Sequence, residues 1–259
     1  MKFSNVVLGG GPVGLALASI HRYALVTDEI KIPEGPVYLY RTQSTKKFLE
    51  KLGYYFPKVK TINIGYFYKG QLYEHPPREA LEEYSSKTLR DKIYFPRRFE
   101  YYDIDWETLA KLEMHNISKV IFGKVGSIDV EKQIVSIPNG IDIEYKKLIS
   151  TVSAPVFEKM ANQKFDLKYL PVRMYECVVS SLTSWGRFDY VYICDKDDYC
   201  LRWSSGKMEE IAHFGTVANQ YKITGGHVPD ILNVKFAGRF ARWQEDRLIS
   251  DEIGEAINA

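Results

Sequence analysis

Unbroken apolar runs alternate with amphipathic stretches in the first fifty residues. The run through Val6, Val7 and Leu8 has no polar alternation, which predicts a strand buried on both faces over residues 3–8. Small and apolar residues at helical spacing follow, so a helix is expected from about Pro12 to Arg22. Val37 to Tyr40, bounded by Pro36, is read as the second strand; Ala24 to Thr27 is the alternative, which leaves a short helix before it. From Thr42 to Leu52 the pattern is helical, with Phe48, Leu49 and Leu52 on one side and Gly53 as its stop.

The pattern changes after Tyr54. Thr61–Phe67 and Leu72–Tyr73 predict short strands about a Lys69-Gly70 turn, and Pro76-Pro77 punctuates an inserted, partly β segment up to Tyr102. Asp105 to Leu112 predicts a helix. Lys119–Phe122, Val125–Val130, Ile134–Ile137 and Ile141–Tyr145 predict a β-meander, with a hairpin signal at Asn139-Gly140. Leu148–Val152 is expected as a separate buried strand closed by Ala154-Pro155. Residues 165–214 are strand-rich, and Val234–Ala237 leads through Gly238 to a terminal helix from about Ser250.

Between the first strand and helix stands Gly9-Gly10-Gly11-Pro12-Val13-Gly14, a G-x-G-x-x-G arrangement. Gly9 permits a tight turn, Gly11 lets the backbone approach a pyrophosphate, and Gly14 lets the helix pack on the strand. The positive end of the helix dipole favours phosphate by about 0.3–1 kcal/mol in exposed cases. Lys2 and the uncharged stretch from Phe3 to Ile20 have the outline of a secretory signal, but the glycines and proline interrupt the helix such a signal needs.

With 259 residues the chain can bury a full core, and its 45% apolar and 26% charged residues suit an ordinary globular protein. Three cysteines, Cys177, Cys194 and Cys200, have no histidine at ligand spacing and make no disulfide framework, which implies a reducing, cytoplasmic setting. The five histidines are scattered and no metal site is expected. Net charge is only +2, yet Lys87, Arg90, Lys92, Arg97 and Arg98 oppose the single anion Asp91, with Tyr94, Phe95, Phe99, Tyr101 and Tyr102 among and after them. Cations grip phosphates and rings stack bases, so this stretch is a candidate nucleic-acid surface; a solvated face beside an aromatic core is the other reading.

Three separated stretches together resemble the flavoprotein group of amine oxidases, protoporphyrinogen oxidase and UDP-galactopyranose mutase. They are Gly9–Leu15, Ile143–Pro155 and Phe236–Trp243 followed by Ile249–Ile253. The resemblance implies a FAD-binding Rossmann-like α/β domain of the glutathione-reductase type, built from residues 1–53, 103–160 and 230–259. An α+β substrate domain from 54–102 and 161–229 interleaves with it. FAD would lie along Gly9, Gly11, Pro12, Val13 and Gly14, with Thr151 and Val152 on the returning strand. Val125 would meet adenine through its backbone, Gly238 and Arg239 would approach the pyrophosphate or ribityl chain, and Ile249 and Ser250 would offer helix-start N–H groups near the isoalloxazine. The group usually ends its second strand in Glu, for the ribose hydroxyls. Here the preferred strand runs into Arg41-Thr42, where arginine donates but cannot accept and would suit an NADP phosphate. The alternative strand places Asp28 nineteen residues after Gly9.

The group's chemistry implies an FAD-dependent oxidoreductase acting on a C–N or C–H bond next to an amine. Tyr175, Tyr190, Tyr192, Trp203 and Trp243 could shape such a site, with Arg173 or Arg202 for a substrate carboxylate. A narrower form is a compact phage flavin lyase or oxidase acting on a glycinyl thymine in DNA, using the Lys87–Arg98 stretch in the host cytoplasm. A non-redox sugar-nucleotide mutase and a degenerate flavin fold serving as a binding module are the alternatives.

Overall fold

The computed structural model describes residues 1–259 except 34–37, 90–97, 139, 177–184, 205–206, 212–219, 245–247 and 259, and only the backbone of 98, 176, 207–211, 220 and 221. Val37, Asn139, Cys177, Arg90, Lys92, Arg97 and His213 therefore lie outside the described residues.

Two sheets organise the molecule. In the first, β1 (Lys2–Leu8) lies between β2 (Ala24–Thr27) and β10 (Ile141–Ser150), both parallel to it. Outside β2 is β7 (Lys119–Phe122), also parallel; β8 (Ser127–Asp129), β9 (Ile134–Ile137) and the first half of β10 form an antiparallel meander. β16 (Val234–Phe236) pairs in parallel with the second half of β10. Alternation along β1 sends Val6 and Leu8 to one face, with Ile143, Leu148 and Phe157, and Val7 to the other, with Leu15, Ala18 and Ala110. Both faces are buried, and this is why the run carries no polar position.

Helices α1 (Pro12–His21), α4 (Trp106–Asn116) and α7 (Ile249–Asn258) pack together, and α2 (Gln43–Lys51) lies on α7. Thr42 caps α2 by accepting from Thr45 N at 3.0 Å, and Asp105 caps α4 through Glu107 N at 3.0 Å. Ala16, Phe48, Leu49, Leu109 and Ile253 form the core between these helices.

The second sheet runs β15 (Gln220–His227), β11 (Asp166–Glu176), β14 (Lys207–Ile211), β13 (Cys200–Ser204), β12 (Tyr190–Ile193), β4 (Lys58–Tyr68), β6 (Arg98–Asp103) and β3 (Leu39–Tyr40), with β5 (Gln71–Tyr73) hairpinned onto β4. The turn at Lys69-Gly70 has both residues at positive φ, 47° and 74°, as a tight hairpin requires.

Several expectations are corrected. The second strand of the first sheet is Ala24–Thr27; Leu39–Tyr40 instead pairs antiparallel with β6 in the second sheet. Lys119–Phe122 belongs beside β2, not in the meander. Ile141–Tyr145 and Leu148–Val152 are one strand to Ser150, paired first with β9 and then with β16. The inserted segment contains a helix, α3 (Arg78–Thr88), and Ala154-Pro155 opens another, α5 (Ala154–Ala161), rather than closing a strand. Proline at the first turn of α5 suits a helix start, since the missing N–H has no intrahelical partner there.

Candidate functional site

The glycine turn between β1 and α1 is held from three sides. Gly9, at φ 108°, donates to Val26 O at 2.9 Å, and Lys31 N donates to Gly10 O at 2.9 Å. Thr151 donates to Leu8 O through both its backbone N (2.8 Å) and its hydroxyl (2.9 Å). A Cβ on Gly14 would come 1.9 Å from Gly9 O, and one on Gly10 would come 2.3 Å from Glu29 O. At Gly11 a Cβ would meet nothing within 4 Å. Gly9, Gly10 and Gly14 are thus required by packing, whereas Gly11 borders open space. Gly11 is the N-cap of α1 and supplies no side-chain cap, Pro12 follows, and no acid sits in the first turn. The N–H groups of Val13 and Gly14 have no partner within the helix, so the turn offers donors and a positive dipole end to an anion.

The end of the chain closes on this turn. Ala237 N donates to Ser150 O at 2.9 Å, continuing the β10–β16 pairing. Gly238 follows at φ 90°, and a Cβ there would lie 3.4 Å from the Val13 side chain. Its N–H donates to Glu252 Oε1 at 2.8 Å. Glu252 is buried in the first turn of α7 and is ion-paired with Arg242 at 2.9 Å, while Arg242 also reaches Glu255 at 2.7 Å. Nothing in the local pattern singles out Glu252: an acid in a first helical turn is ordinary, and the N–H it accepts from belongs to the preceding element.

Of the cofactor candidates, Gly9, Gly11, Pro12, Val13, Gly14, Thr151, Val152 and Gly238 come together at the turn. Val125 stands beyond the carboxyl end of β7, on the edge where β2 also ends, and packs on the first core. Arg41 does not stand there. It follows β3, and its guanidinium pairs with Glu100 at 2.8 Å on the second sheet, while Thr42 is occupied as the cap of α2. Asp28, exposed just past β2, holds the place at the strand end, with Oδ1 accepting from Glu29 N at 3.0 Å. Ser250 is buried with its hydroxyl accepting from Tyr40 N at 2.9 Å, and Ile249 packs in the helical core. The first turn of α7 is served by its own acid, Asp251 accepting from Leu248 N at 2.8 Å.

The second sheet presents an aromatic face. Register places Arg202 opposite Tyr192, Tyr192 beside Tyr66, Ile62 opposite Phe99, and Tyr101 opposite Tyr40, so one face carries all of them. Tyr40 stacks on Phe99 with ring centres 4.6 Å apart, and Tyr38 meets Phe99 and Tyr101 edge-on. The Arg202 guanidinium donates to the Tyr190 hydroxyl and lies over that ring at 5.5 Å. Burial pushes the Tyr40 phenol up to about 12, with the nearby Arg239 charge opposing, so Tyr40 stays a protonated hydroxyl at neutral pH. Tyr40 thereby links three elements: its ring is on the aromatic face, its backbone is on Ser250, and its phenol feels Arg239. Sequence reading put Tyr38 and Tyr40 in the second strand of the nucleotide domain and Phe99 in the basic stretch; the antiparallel pairing of β3 with β6 is what brings them to one face.

The four catalytic candidates do not converge. Tyr192 is a core ring, stacked on Tyr66 at 5.7 Å and edge-on to Tyr84 at 5.4 Å. Tyr175 registers with Met208, and Met208 with Trp203, which puts it on the face opposite Arg202. Trp243 is buried, its indole N–H donating to Gly225 O at 2.9 Å and its ring edge-on to Tyr169. Arg202 and Tyr192 share the aromatic face, opposite each other in register and both partly exposed, while Tyr175 and Trp243 stand elsewhere. In the basic stretch, Lys87 is not a surface cation: its buried ammonium donates to Ile193 O at 3.0 Å and Asp195 O at 2.9 Å, and also to Cys200 O. The Arg98 side chain and the other cations lie outside the described residues.

No family model matches the sequence, and no curated protein matches it. Solved structures do. A reduced UDP-galactopyranose mutase aligns over 98% of this chain and 92% of its own, at 9% identity and TM-score 0.59. A CLA-producing fatty acid isomerase from P. acnes aligns over 98% and 97%, at 10% identity and TM-score 0.62. The flavin-dependent monooxygenase PieE, in complex with FAD and substrate, aligns over 99% of this chain and 56% of its own, at 10% identity and TM-score 0.55. The chain has the α/β fold of flavin-dependent enzymes. Among the described residues no helix is long and apolar enough to cross a membrane.

Proposed function

We propose that this protein is an FAD-dependent oxidoreductase that oxidises a C–N or C–H bond next to an amine. The observation that carries the FAD reading is the meeting of Val13 and Gly238: the carboxyl-terminal segment packs directly against the amino-terminal glycine turn. The residues present fit the cofactor. Open space over Gly11, donors at the start of α1 and a carboxylate at Asp28 suit a pyrophosphate and an adenosine ribose in turn. Residues 1–53, 103–160 and 230–259 would hold it, and 54–102 with 161–229 would cover the substrate, β3 excepted. FAD, when bound, supplies a two-electron acceptor for hydride from the carbon bearing the amine.

The chain's own groups would bind and orient. The Tyr40, Tyr38 and Phe99 rings give an apolar wall that favours a neutral amine over its ammonium form. Arg202 and Arg239 provide cations for a substrate carboxylate. After hydride loss the amine becomes an imine, which water hydrolyses.

The test is direct. Protein loaded with FAD should be yellow, and amino-acid-like amines should bleach it under anaerobic conditions. A colourless protein that takes up no FAD would overturn the cofactor reading, and bound FAD indifferent to every such amine would overturn the substrate class. The likeness to the mutase, which spans nearly all of both chains, supports a second reading: a non-redox enzyme that works only with reduced flavin and binds UDP-sugars.

A further inference from the structure

A cleft of about 770 Å³ opens between α2 and the start of β4. Leu49, Tyr54, Tyr55, Phe56, Pro57 and Val59 are among the residues that line it. Arg41, Thr42, Gln43, Lys46 and Glu50 line it as well, and its exposed apolar part is concentrated at one end. Phe56 is 96% exposed and Tyr55 65%, and Val59 is exposed beside them. Phe56 also has φ 58°, a left-handed conformation that a bulky side chain rarely adopts, and this backbone turns the ring out into solvent. Adjacent exposed rings at a loop tip carry a solvation cost that a partner would relieve.

The charges around the rings say what that partner is. Between residues 41 and 60 the chain carries Arg41, Lys46, Lys47, Lys51, Lys58 and Lys60 against the single anion Glu50. Glu100 and Asp103 approach from β6 and pair with Arg41 (2.8 Å) and Lys60 (2.7 Å), while Lys46 lies 3.7 Å from Glu50. Lys47, Lys51 and Lys58 are exposed and have no carboxylate partner among the described residues. The patch is therefore locally cationic on a molecule of net charge only +2. Exposed rings followed closely by Lys58 and Lys60, on a segment with six cations and one anion, match the interface of an anionic bilayer, where rings enter the headgroup layer and ammonium groups meet lipid phosphates.

We propose that the Tyr55-Phe56 tip and the cation-rich segment around it, residues 41–60, dock this protein on the surface of an anionic lipid membrane. A cleft walled by rings beside the tip also gives an acyl chain or a lipid-borne substrate a place to lie. The proposal is independent of the FAD reading, since none of these residues belongs to the glycine turn or the aromatic face.

Co-sedimentation with phosphatidylcholine vesicles, with and without phosphatidylserine, tests it. The full chain should pellet with the phosphatidylserine vesicles, stay in solution with phosphatidylcholine alone, and be released by high salt. The double variant Y55S/F56S should weaken vesicle binding by about tenfold or more, and K47E/K58E should do the same. Both pairs are exposed, so circular dichroism should show folded variants. Failure of the parent protein to pellet with anionic vesicles overturns the proposal, as does equal binding by Y55S/F56S. Size-exclusion chromatography supplies the remaining arm: a dimer in the parent that becomes a monomer in Y55S/F56S would assign the patch to a second copy and overturn the membrane docking.

Discussion

Gly11 and Gly14 look alike in the sequence but stand in opposite surroundings. An alanine at Gly14 would place Cβ 1.9 Å from Gly9 O, and backbone cannot yield that distance without losing the turn. An alanine at Gly11 meets nothing. Gly14→Ala should therefore lower thermal stability or abolish folding, whereas Gly11→Ala should melt like the parent and lose FAD uptake. Calorimetry with and without FAD separates the two effects. Glu113, buried in α4, makes a second local prediction. Burial raises its carboxyl from the usual 4.5 to about 8. The folded form thus holds a proton that the unfolded chain releases. Its contribution is complete below about pH 4.5, falls as the unfolded chain ionises, and is lost once pH passes about 8. Denaturant midpoints of the parent should fall across that window, and Glu113→Gln should flatten the fall by several-fold and be the more stable protein at pH 8. A parallel fall in both would refute the assignment.

Elements whose burial follows from their own residues were legible, and those completed by distant partners were not. The strand–turn–helix at the amino terminus is a continuous apolar run joined to glycines that sterics require, so its shape could be read. Ala24–Thr27 escaped preference because four buried residues leave no alternation to count, while Leu39–Tyr40 has an aromatic strand's composition and is paired elsewhere. That exchange put Arg41 rather than Asp28 at the expected strand end. α3 was missed because its buried face contains Lys87 beside Ala80 and Tyr84. A lysine there reads as a break in the stripe until the carbonyls of Ile193, Asp195 and Cys200 are brought over it. Those three bonds tie the last turn of α3 to the β12–β13 connection. Lys87→Met should leave buried carbonyls unpaired and cost about 1–3 kcal/mol in urea unfolding. Affinity for oligonucleotides should not change, because the ammonium never reaches the surface. Glu252 acts likewise between elements: Glu252→Gln removes the charge facing Arg242 while retaining an acceptor for Gly238 N. FAD should bind this variant more weakly, and Glu252→Ala more weakly still.

The two sheets are threaded by one chain that leaves the first and returns to it, and its last strand pairs beside the strand that underlies the glycine turn. A cofactor lying across the Val13–Gly238 contact would therefore touch both ends of the sequence, and its binding free energy would oppose unfolding of the whole first sheet. For a ligand that binds only the folded state, a concentration one hundred times Kd adds about 2.7 kcal/mol. In a chain of this length that corresponds to a rise in Tm of roughly 5–11 °C. Differential scanning fluorimetry should show this rise with FAD, a smaller rise with NADP, and none with FAD in Gly11→Ala. The comparison between dinucleotides is informative because Asp28, exposed at the end of β2, is the candidate for the adenosine ribose. A carboxylate accepts from ribose hydroxyls and repels a 2′-phosphate. A larger shift with NADP than with FAD would place the adenosine at Arg41 after all, and would undo the assignment of the strand end to Asp28.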